Sequence, residues 1–576
     1  MMEQVQGFRL SSQQKRLWLL QQQLPGEHHI QCAIRITGDL DVERLKNSLQ
    51  LIIERHTIFR TTFQHLQGMR FPVQVIRSNS SYIWHYHDLS SYSHQEQVAE
   101  AKRLAKEETH TIKHLEQGPL FSSLLIKFSS RDHLLCICLP ALCADTTTII
   151  NLLEEIDHSY HTDGLEDQAE EDIIQYVQFT EWQKELLESD DALAGKAYWE
   201  ARYSQEYTGL KLPFEYDPVQ STEIEHHTIS CSMDKDVLSK VEYVVQKYDI
   251  SIDVFFLTCW LTLLWKLSGE TSLSIGYRAD GRKYEELHNA MGLFARCIPI
   301  HYRFEKGQHF YEVLQQLSQM VRGGYEWQEY FAEDDDPASS ENPPDFPLIY
   351  ELTRLPAHHD AAHTSFLFQK IETPGEPCKL KLSCMLSPDE LTANFHYDPH
   401  RFSPDDIYRL KERFQTCVIN AVTYPEIFID ALEIMSVSER ERILSASHST
   451  RIQYETLLTH ELFERQVKHS PDSIAVEIGD HQLLYSQLNR RANQFAHYLK
   501  KLGVGPDVLV AVHLEPSLEI IEILLGILKA GGAYVPLAPE LPLERLAFIL
   551  EDTQASIIVS QQSLAERLPR CPSQVI

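Results

Sequence analysis

Strand-like and helix-like patterns of hydrophobic residues alternate along most of the chain. Residues 29–63 begin with a strand-like stretch, pass through a turn into an amphipathic helix, and end in a second strand-like segment. Residues 134–139 form a continuous apolar run, and residues 148–156 follow it with helical spacing. The alternation of strand and helix patterns predicts a mixed α/β architecture.

The longest apolar run is VFFLTCWLTLLW, from Val254 to Trp265. It is too short to cross a bilayer, because a spanning helix needs about 20 apolar residues. We therefore expect a buried core helix in a second structural unit, which opens near Thr228 with the strand-like stretch HTISCSM.

Three polar segments divide the chain. Residues 161–172 are acidic and predict a first boundary, and residues 331–347 combine charge, serine and several prolines, which predicts a mobile loop. A further boundary falls near 445–457. Beyond it the pattern becomes a β-hairpin and helix, then an apolar helix, a glycine stop and a short strand, which is typical of parallel α/β structure.

Composition and charge narrow the classes of function. At 576 residues the chain exceeds one ordinary core, and its net charge of −31 argues against a nucleic-acid partner. The eleven cysteines show no CxxC pairs, which favours free thiols in a reducing compartment. The N-terminal residues lack the apolar region of a signal peptide. We therefore expect a cytoplasmic protein with neither a membrane segment nor a metal or directly bound cofactor.

Several short motifs follow one another in a definite order. They read LSSQQKRLWLL at Leu10–Leu20, RHTIFRTTF at Arg55–Phe63, YVQFTEWQ at Tyr176–Gln183 and GYRADGRKYEELHNAMGLFARCIPI within Leu273–Ile300. In this order they resemble the condensation domain of nonribosomal peptide synthetases. Ser11, Gln14, Arg16 and Trp18 of the first motif and Tyr176 and Trp182 of the third match the family pattern.

Two later motifs, LLYSQLNRRAN and LKAGGAYVPLAPELPLERLAFILEDT, resemble the opening of the adenylation domain that usually follows. The resemblance implies two chloramphenicol-acetyltransferase-like lobes arranged in a V, then a partial, parallel α/β adenylation subdomain. The expected boundaries are 8–170 for the first lobe, 171–445 for the second, 446–457 for a linker and 458–576 for the adenylation part. The phosphate-binding loop and late lysine of an adenylation domain do not occur in this last segment, so we expect no amino-acid activation by it alone.

The match is poor where the family has its chemistry. The family's central motif is His-His-x-x-x-Asp-Gly, and aligned on Asp145 this chain has Pro140 and Ala141 at the two histidine positions and Thr146 at the glycine. A later Asn-Thr pair is replaced by Arg296 and Cys297. Neither proline nor alanine can take or give a proton, so ordinary peptide-bond formation is expected to be weakened.

Asp145 has two compatible interpretations. It stands where the helix that begins at Thr146 needs an N-cap, and the resemblance implies an ion pair with Arg60. Both roles are structural, and a paired carboxylate is a poor base. Asp145, Thr146 and Arg296 remain the candidate catalytic residues, Arg296 because a cation could bind a carboxylate or an oxyanion, although a plain ion pair is an equal alternative.

Other polar residues have weaker cases. We interpret Cys143 as a small buried residue rather than a nucleophile. We expect the threonines at 146–148 to form hydrogen bonds with local backbone groups in the first helical turn rather than with a substrate oxygen. Histidines such as His110, His114, His133 and His301 lack a motif, although an imidazole from elsewhere in the fold could enter the site.

Three functions stay open at this point. The first is an atypical condensation domain that joins acyl or aminoacyl groups, as amide or ester, by proximity and alternative groups. The second is an inactive scaffold that docks carrier or tailoring proteins. The third is heterocyclisation, whose Asp-x-x-x-x-Asp pattern is only half present, at Asp145. The implied partners are upstream and downstream peptidyl carrier proteins with their phosphopantetheine arms, and the rest of the adenylation domain.

Overall fold

The computed structural model describes residues 7–23, 28–112, 114–162, 173–203, 210–217, 226–331, 346–356, 364–373, 378–447 and 456–576. Most of the predicted boundary at 161–172, loop at 331–347 and linker at 446–457 lies outside the described residues. The chain forms two compact units, Met1–Ser445 and Ala446–Ile576, and each is described by itself.

The first unit starts with an N-terminal lobe. Its elements are β1 (Gly7–Phe8), α1 (Ser12–Gln23), β2 (His29–Gly38), α2 (Val42–Arg55), β3 (Thr61–Gln64), β4 (Val73–Ile76), β5 (Ile83–Asp88), α3 (His94–Thr109), β6 (Ser122–Ser129), β7 (Asp132–Pro140) and α4 (Thr146–His161).

The rest of the first unit supplies a second lobe. Its elements are α5 (Tyr176–Glu188), α6 (Asp191–Tyr203), β8 (His227–Met233), α7 (Lys235–Tyr248), α8 (Ile252–Ser268), β9 (Ser272–Ala279), β10 (Arg296–Arg303), α9 (Phe310–Glu326), β11 (Leu348–Arg354), β12 (Thr364–Glu372), β13 (Leu380–Leu386), β14 (Leu391–Tyr397), α10 (Pro404–Thr423) and α11 (Val437–Ser447). Short 3₁₀ turns cover Thr57–Arg60, Glu285–Leu287, Gln328–Tyr330 and Ile429–Ala431.

The N-terminal lobe is built on a five-stranded sheet with the order β12-β2-β7-β6-β5. β2 and β7 run antiparallel, with His29 opposite Pro140 and Ile30 opposite Leu139. The start of β2 therefore lies beside the end of β7, where the family motif begins. β12 reaches this sheet from the second lobe's part of the chain and pairs with β2, an exchange that no pattern in the sequence predicted.

The second lobe has a six-stranded sheet with the order β10-β9-β11-β13-β14-β8. The predicted core helix is α8, and every residue from Val254 to Leu264 in it is buried. Ser251 caps its N-terminus, and Gly269 ends it with a φ of 75°. No single helix among the described residues is long and apolar enough to cross a membrane, and only α7 and α8 taken together, with a 101° bend, pass that test of length and composition.

The second unit has the predicted hairpin and parallel sheet. Its elements are α12 (Thr459–His469), β15 (Ile474–Ile478), β16 (His481–Leu484), α13 (Tyr485–Lys501), β17 (Leu509–His513), α14 (Leu518–Ala530), β18 (Ala533–Pro536), α15 (Leu543–Thr553), β19 (Ile557–Ser560), α16 (Gln562–Ala565) and β20 (Gln574–Val575). The strands β18-β17-β19-β20 pair in parallel. α14 ends at Gly531 with a φ of 92°, the left-handed stop expected from the sequence.

Candidate functional site

The turn between β7 and α4 is fixed by Asp145. This residue caps α4, because one carboxylate oxygen, Oδ1, accepts a hydrogen bond from the Thr148 N–H at 2.8 Å. The Thr148 hydroxyl lies 2.6 Å from the Gly292 carbonyl and so ties the same helical turn to the second lobe. The predicted N-cap is therefore present.

The ion-pair partner of Asp145 is Arg282, not Arg60 as the resemblance implied. Arg282 Nη1 and Nη2 donate to the two carboxylate oxygens at 2.9 and 3.0 Å. The Arg282 side chain is 1% exposed, and its guanidinium lies 4.4 Å from the centre of the Phe294 ring. Arg60 instead donates to the Arg77 carbonyl at 2.8 Å, because its 3₁₀ turn lies beside β3 and β4.

Two further donors complete the shell of the carboxylate. The N–H groups of Phe294 and Ala295 donate to Oδ2 at 2.8 and 2.9 Å. Burial by itself would raise the pKa of Asp145, but the charge of Arg282 and the hydrogen bonds from Arg282 and Thr148 outweigh it and hold the pKa below its ordinary value. Asp145 is thus a saturated, ionised carboxylate that is unsuited to accept a proton.

Three residues of the motifs that resemble the family hold the same loops from the other side. Gln14 donates from its side chain to the Leu142 carbonyl at 2.9 Å. The Tyr176 hydroxyl donates to the Leu293 carbonyl at 2.7 Å and lies 2.8 Å from the Ser11 hydroxyl oxygen. The motif positions that match the family therefore build a frame around the turn.

A cavity of about 130 Å³ lies next to this frame. Residues of both lobes form its walls: Ser12, Gln13, Arg16, Leu17, Leu20, His28, Ile30, Ala141, Ala144, Asp145 and Thr146 from the first, and Arg278, Leu293, Ala295, Arg296, Cys297, Phe331, Phe346, Ile349 and Thr373 from the second. The structure thus brings the predicted Asp145, Thr146 and Arg296 together at one site. Ala141 lines the cavity, whereas Pro140 ends β7 beside it.

Arg296 is both a cavity residue and one half of a buried ion pair. Its Nη2 lies 2.5 Å from Glu329 Oε2, and its Nη1 donates to the Gln328 carbonyl at 3.0 Å. The side chains of Arg296 and Glu329 are 7% and 3% exposed. Arg296 is therefore held in the cavity wall by an ion pair. The two alternatives considered from the sequence, a cation at the site and a plain ion pair, both apply.

The thiols near the site are inert. Cys143 is fully buried, and burial raises its pKa well above the ordinary value. Burial also raises the pKa of Cys297, which lines the cavity, although neighbouring cations partly oppose the effect. Neither residue supplies a thiolate nucleophile at neutral pH.

Sequence reasoning missed one imidazole at the site. None of His110, His114, His133 and His301 belongs to the cavity walls as the structure describes them, but His28 does. The Ala141 N–H donates to the His28 carbonyl at 3.0 Å, so the two residues face each other across the β2–β7 pair. The sequence feature that could have indicated this residue is the pair His28-His29 at the start of a strand. It does not predict a site residue until the partner strand is known.

Two family models match the chain. A condensation domain matches residues 5–444, and an AMP-binding enzyme matches residues 463–575. Bacitracin synthase 1 of Bacillus licheniformis is 28% identical over 562 residues, which cover 96% of this chain and 10% of that protein. The chain spans about a tenth of the length of such curated relatives.

Solved structures share the fold. A four-domain nonribosomal peptide synthetase, holo-AB3403 bound to AMP and glycine, superposes with a TM-score of 0.65 at 20% identity, over 99% of this chain and 44% of that one. The X-domain in complex with OxyB from teicoplanin biosynthesis superposes with a TM-score of 0.59 at 16% identity, over 76% of this chain and 98% of that one. These likenesses confirm the predicted α/β fold class.

Proposed function

Because the chain belongs to the condensation-domain family through residues 5–444, we propose that its first unit still joins two acyl groups by non-standard chemistry. The groups arrive as phosphopantetheine thioesters on an upstream and a downstream peptidyl carrier protein. An amine or hydroxyl of the acceptor attacks the donor thioester, without an imidazole at position 141.

The cavity beside Ala141 carries this proposal. A domain that had become a pure scaffold would be free to fill the space left by two lost histidines with larger side chains. Here the position holds a small residue, and about 130 Å³ stays open between walls from both lobes. The frame around Asp145 keeps that opening in place through five N–H donors.

The walls favour a reaction in which negative charge develops. Arg16, Arg278 and Arg296 line the cavity, and cations stabilise an oxyanion such as that of a tetrahedral intermediate. Two tethered reactants held end to end gain a further rate advantage from proximity, worth about 7–11 kcal/mol in well-oriented cases. These effects support a residual or altered condensation activity.

A second candidate is a docking scaffold. It is favoured by Pro140 and Ala141, since neither can serve a proton transfer. It is also favoured by the shared fold with an X-domain, which the solved structure shows in complex with OxyB. On this alternative the first unit binds a carrier or tailoring protein and makes no bond.

Residues 463–575 match an AMP-binding enzyme over part of such a domain. We propose that the second unit completes its fold with the rest of the adenylation domain and that nucleotide chemistry belongs to the completed domain.

Product formation on loaded carrier proteins tests the proposal. A donor carrier bearing an N-acetyl-aminoacyl thioester and an acceptor carrier bearing a free aminoacyl thioester, drawn from a panel of amino acids, are mixed with the protein. Intact-protein mass spectrometry then measures the acceptor carrier. We expect a mass increase equal to the transferred acyl group, above the rate in a mixture without the protein.

The variant A141H separates the two candidates. If the cavity is a working reaction site, an imidazole restored at position 141 raises the rate well above that of the wild type. A wild type and A141H that both stay at background, while carrier binding persists in a pull-down, would establish the scaffold instead.

A further inference from the structure

His28 lies directly across from the position that has lost its imidazole. The register of β2 and β7 pairs His29 with Pro140, and the hydrogen bond from the Ala141 N–H to the His28 carbonyl extends that pairing by one residue. Side chains that face each other across an antiparallel pair lie on one side of the sheet, with Cβ atoms about 5 Å apart. Both side chains accordingly line the same cavity.

The other titratable groups in the cavity walls cannot accept a proton near neutral pH. Arg16 on α1, Arg278 on β9 and Arg296 on β10 are permanent cations. Asp145 has its oxygens engaged by N–H donors and a pKa below the ordinary value. Burial raises the pKa of Cys297, which stays a thiol.

An imidazole is the one side chain whose ordinary titration falls near neutral pH. We propose that His28, the residue directly before β2, is the proton-accepting residue of this condensation site and serves the role that the family assigns to a histidine on the β7–α4 turn. The inference rests on the proposed function, and it places the acceptor amine beside His28 and Ala141.

The proton and electron balance of the step is simple. The acceptor ammonium gives one proton to the His28 imidazole, and the resulting amine attacks the donor thioester carbon. A carbon–nitrogen bond forms, the carbon–sulfur bond breaks, and the departing thiolate takes the second proton from nitrogen. The imidazolium then releases its proton to solvent, and no oxidant or reductant takes part.

The variants H28N and H29N give a matched test, because the two histidines are neighbours and His29 is not among the cavity walls. A positioned base contributes on the order of 10²–10⁴-fold, so we expect H28N to lower the rate of product formation at least tenfold. H29N should stay within about twofold of the wild type. Equal rates for H28N and H29N would overturn the assignment.

The double variant H28N/A141H distinguishes a chemical role from a structural one. It moves the imidazole across the strand pair into the same cavity, and we expect it to recover at least tenfold over H28N. A structural role for His28 predicts no recovery, and that result would count against the proposal.

Binding is measured separately from turnover. The histidine side-chain NMR signals of the wild type are followed while glycyl-aminopantetheine, an acceptor analogue with an amide in place of the thioester, is added without a donor. H28N is used to assign the His28 signal. A shift of that signal places the acceptor beside His28, and an unmoved signal overturns the inference. A shift without any product would overturn the proposed function, and with it the proton-accepting role, while leaving the placement of the acceptor beside His28 intact.

Discussion

The frame around Asp145 and the cavity beside it have opposite characters, although they share a wall. In the frame, each polar group meets a partner: Arg282 reaches both carboxylate oxygens, and the N–H groups of Phe294 and Ala295 complete the shell. In the cavity wall, the small Ala141 stands across the strand pair from His28. The polar groups of the frame are engaged in hydrogen bonds, whereas the cavity stays open.

This difference explains which motif residues the chain has kept. Asp145, Gln14 and Tyr176 match the family, and all three hold backbone groups of the site loops. Loss of any of them would leave buried polar groups unpaired, which costs about 1–3 kcal/mol per group. The imidazole position carries no such penalty, so it could change while the fold stayed the same.

The largest expected effect breaks the frame. R282M leaves the Asp145 carboxylate buried and unpaired, and loss of one partner of a buried ion pair costs about 3–5 kcal/mol. All seven tryptophans of the chain precede residue 446, so the tryptophan fluorescence of a urea titration reports the unfolding of the first unit only.

R35M is the matched control for R282M. Arg35 pairs with Asp132 at the surface, where the two side chains are 41% and 27% exposed. Such pairs contribute about 0–1 kcal/mol, so the unfolding midpoint of R35M should stay close to that of the wild type. Equal losses of unfolding free energy in R282M and R35M would show that the buried Arg282–Asp145 pair contributes no more to stability than the surface pair.

The next effect tests the cation of the cavity wall. R296M leaves the Glu329 carboxylate buried without its charged partner, and we expect a loss of about 2–3 kcal/mol in the free energy of unfolding. The double variant R296M/E329Q should recover part of that loss, because it removes the unpaired charge. An R296M variant as stable as the wild type would show that the Arg296–Glu329 ion pair does not contribute to the stability of the first unit.

A smaller effect concerns Glu351 on β11, which supports Arg278 behind the cavity. Its carboxylate lies 3.0 Å from Lys381 Nζ and 3.5 Å from Arg278 Nε. Burial alone would raise the pKa of Glu351, but the charges of Lys381 and Arg278 outweigh it and lower the pKa to about 2.

The sign of the resulting pH dependence follows from that shift. A carboxyl with a pKa lowered in the folded state stabilises the fold above its unfolded pKa, and the stabilisation is lost as the pH falls toward about 2. E351Q should therefore be less stable than the wild type by about 1–2 kcal/mol at pH 7, with the gap closing below pH 4. Urea titrations at a series of pH values measure the gap, and a gap that is independent of pH would contradict the assignment.

The sequence predicted the frame better than the cavity for a physical reason. Local patterns specify α8 as a core helix and Asp145 as a helix cap, because both depend on neighbours within a few residues. The partner of Asp145 depends on which loop crosses the turn in three dimensions. The family resemblance implied Arg60, whereas the fold places Arg282 beside Asp145.

The position of His28 in the cavity could not be predicted for the same reason. It depends on the register between β2 and β7, which are far apart in sequence, and a shift of one residue would turn the side chain to the other face of the sheet. The pairing of β12 with β2 is a second long-range event of this kind. Long-range register therefore decides which side chains line the cavity, and local sequence patterns decide the helix cap beside it.

The smallest effect on stability is expected at Thr146, where cavity and frame meet. Thr146 lines the cavity, but the N-cap bonds of Asp145 come from Thr148, two residues further on. T146A should change the free energy of unfolding by less than about 0.5 kcal/mol, whereas the matched variant T148A, which removes a buried hydroxyl between Asp145 and Gly292, should lose about 1–3 kcal/mol. T146L adds bulk to the cavity and should lower product formation on loaded carriers without a shift in the fluorescence-detected unfolding midpoint. If T146A destabilised the first unit as much as T148A, the boundary between frame and cavity would not lie at this helical turn.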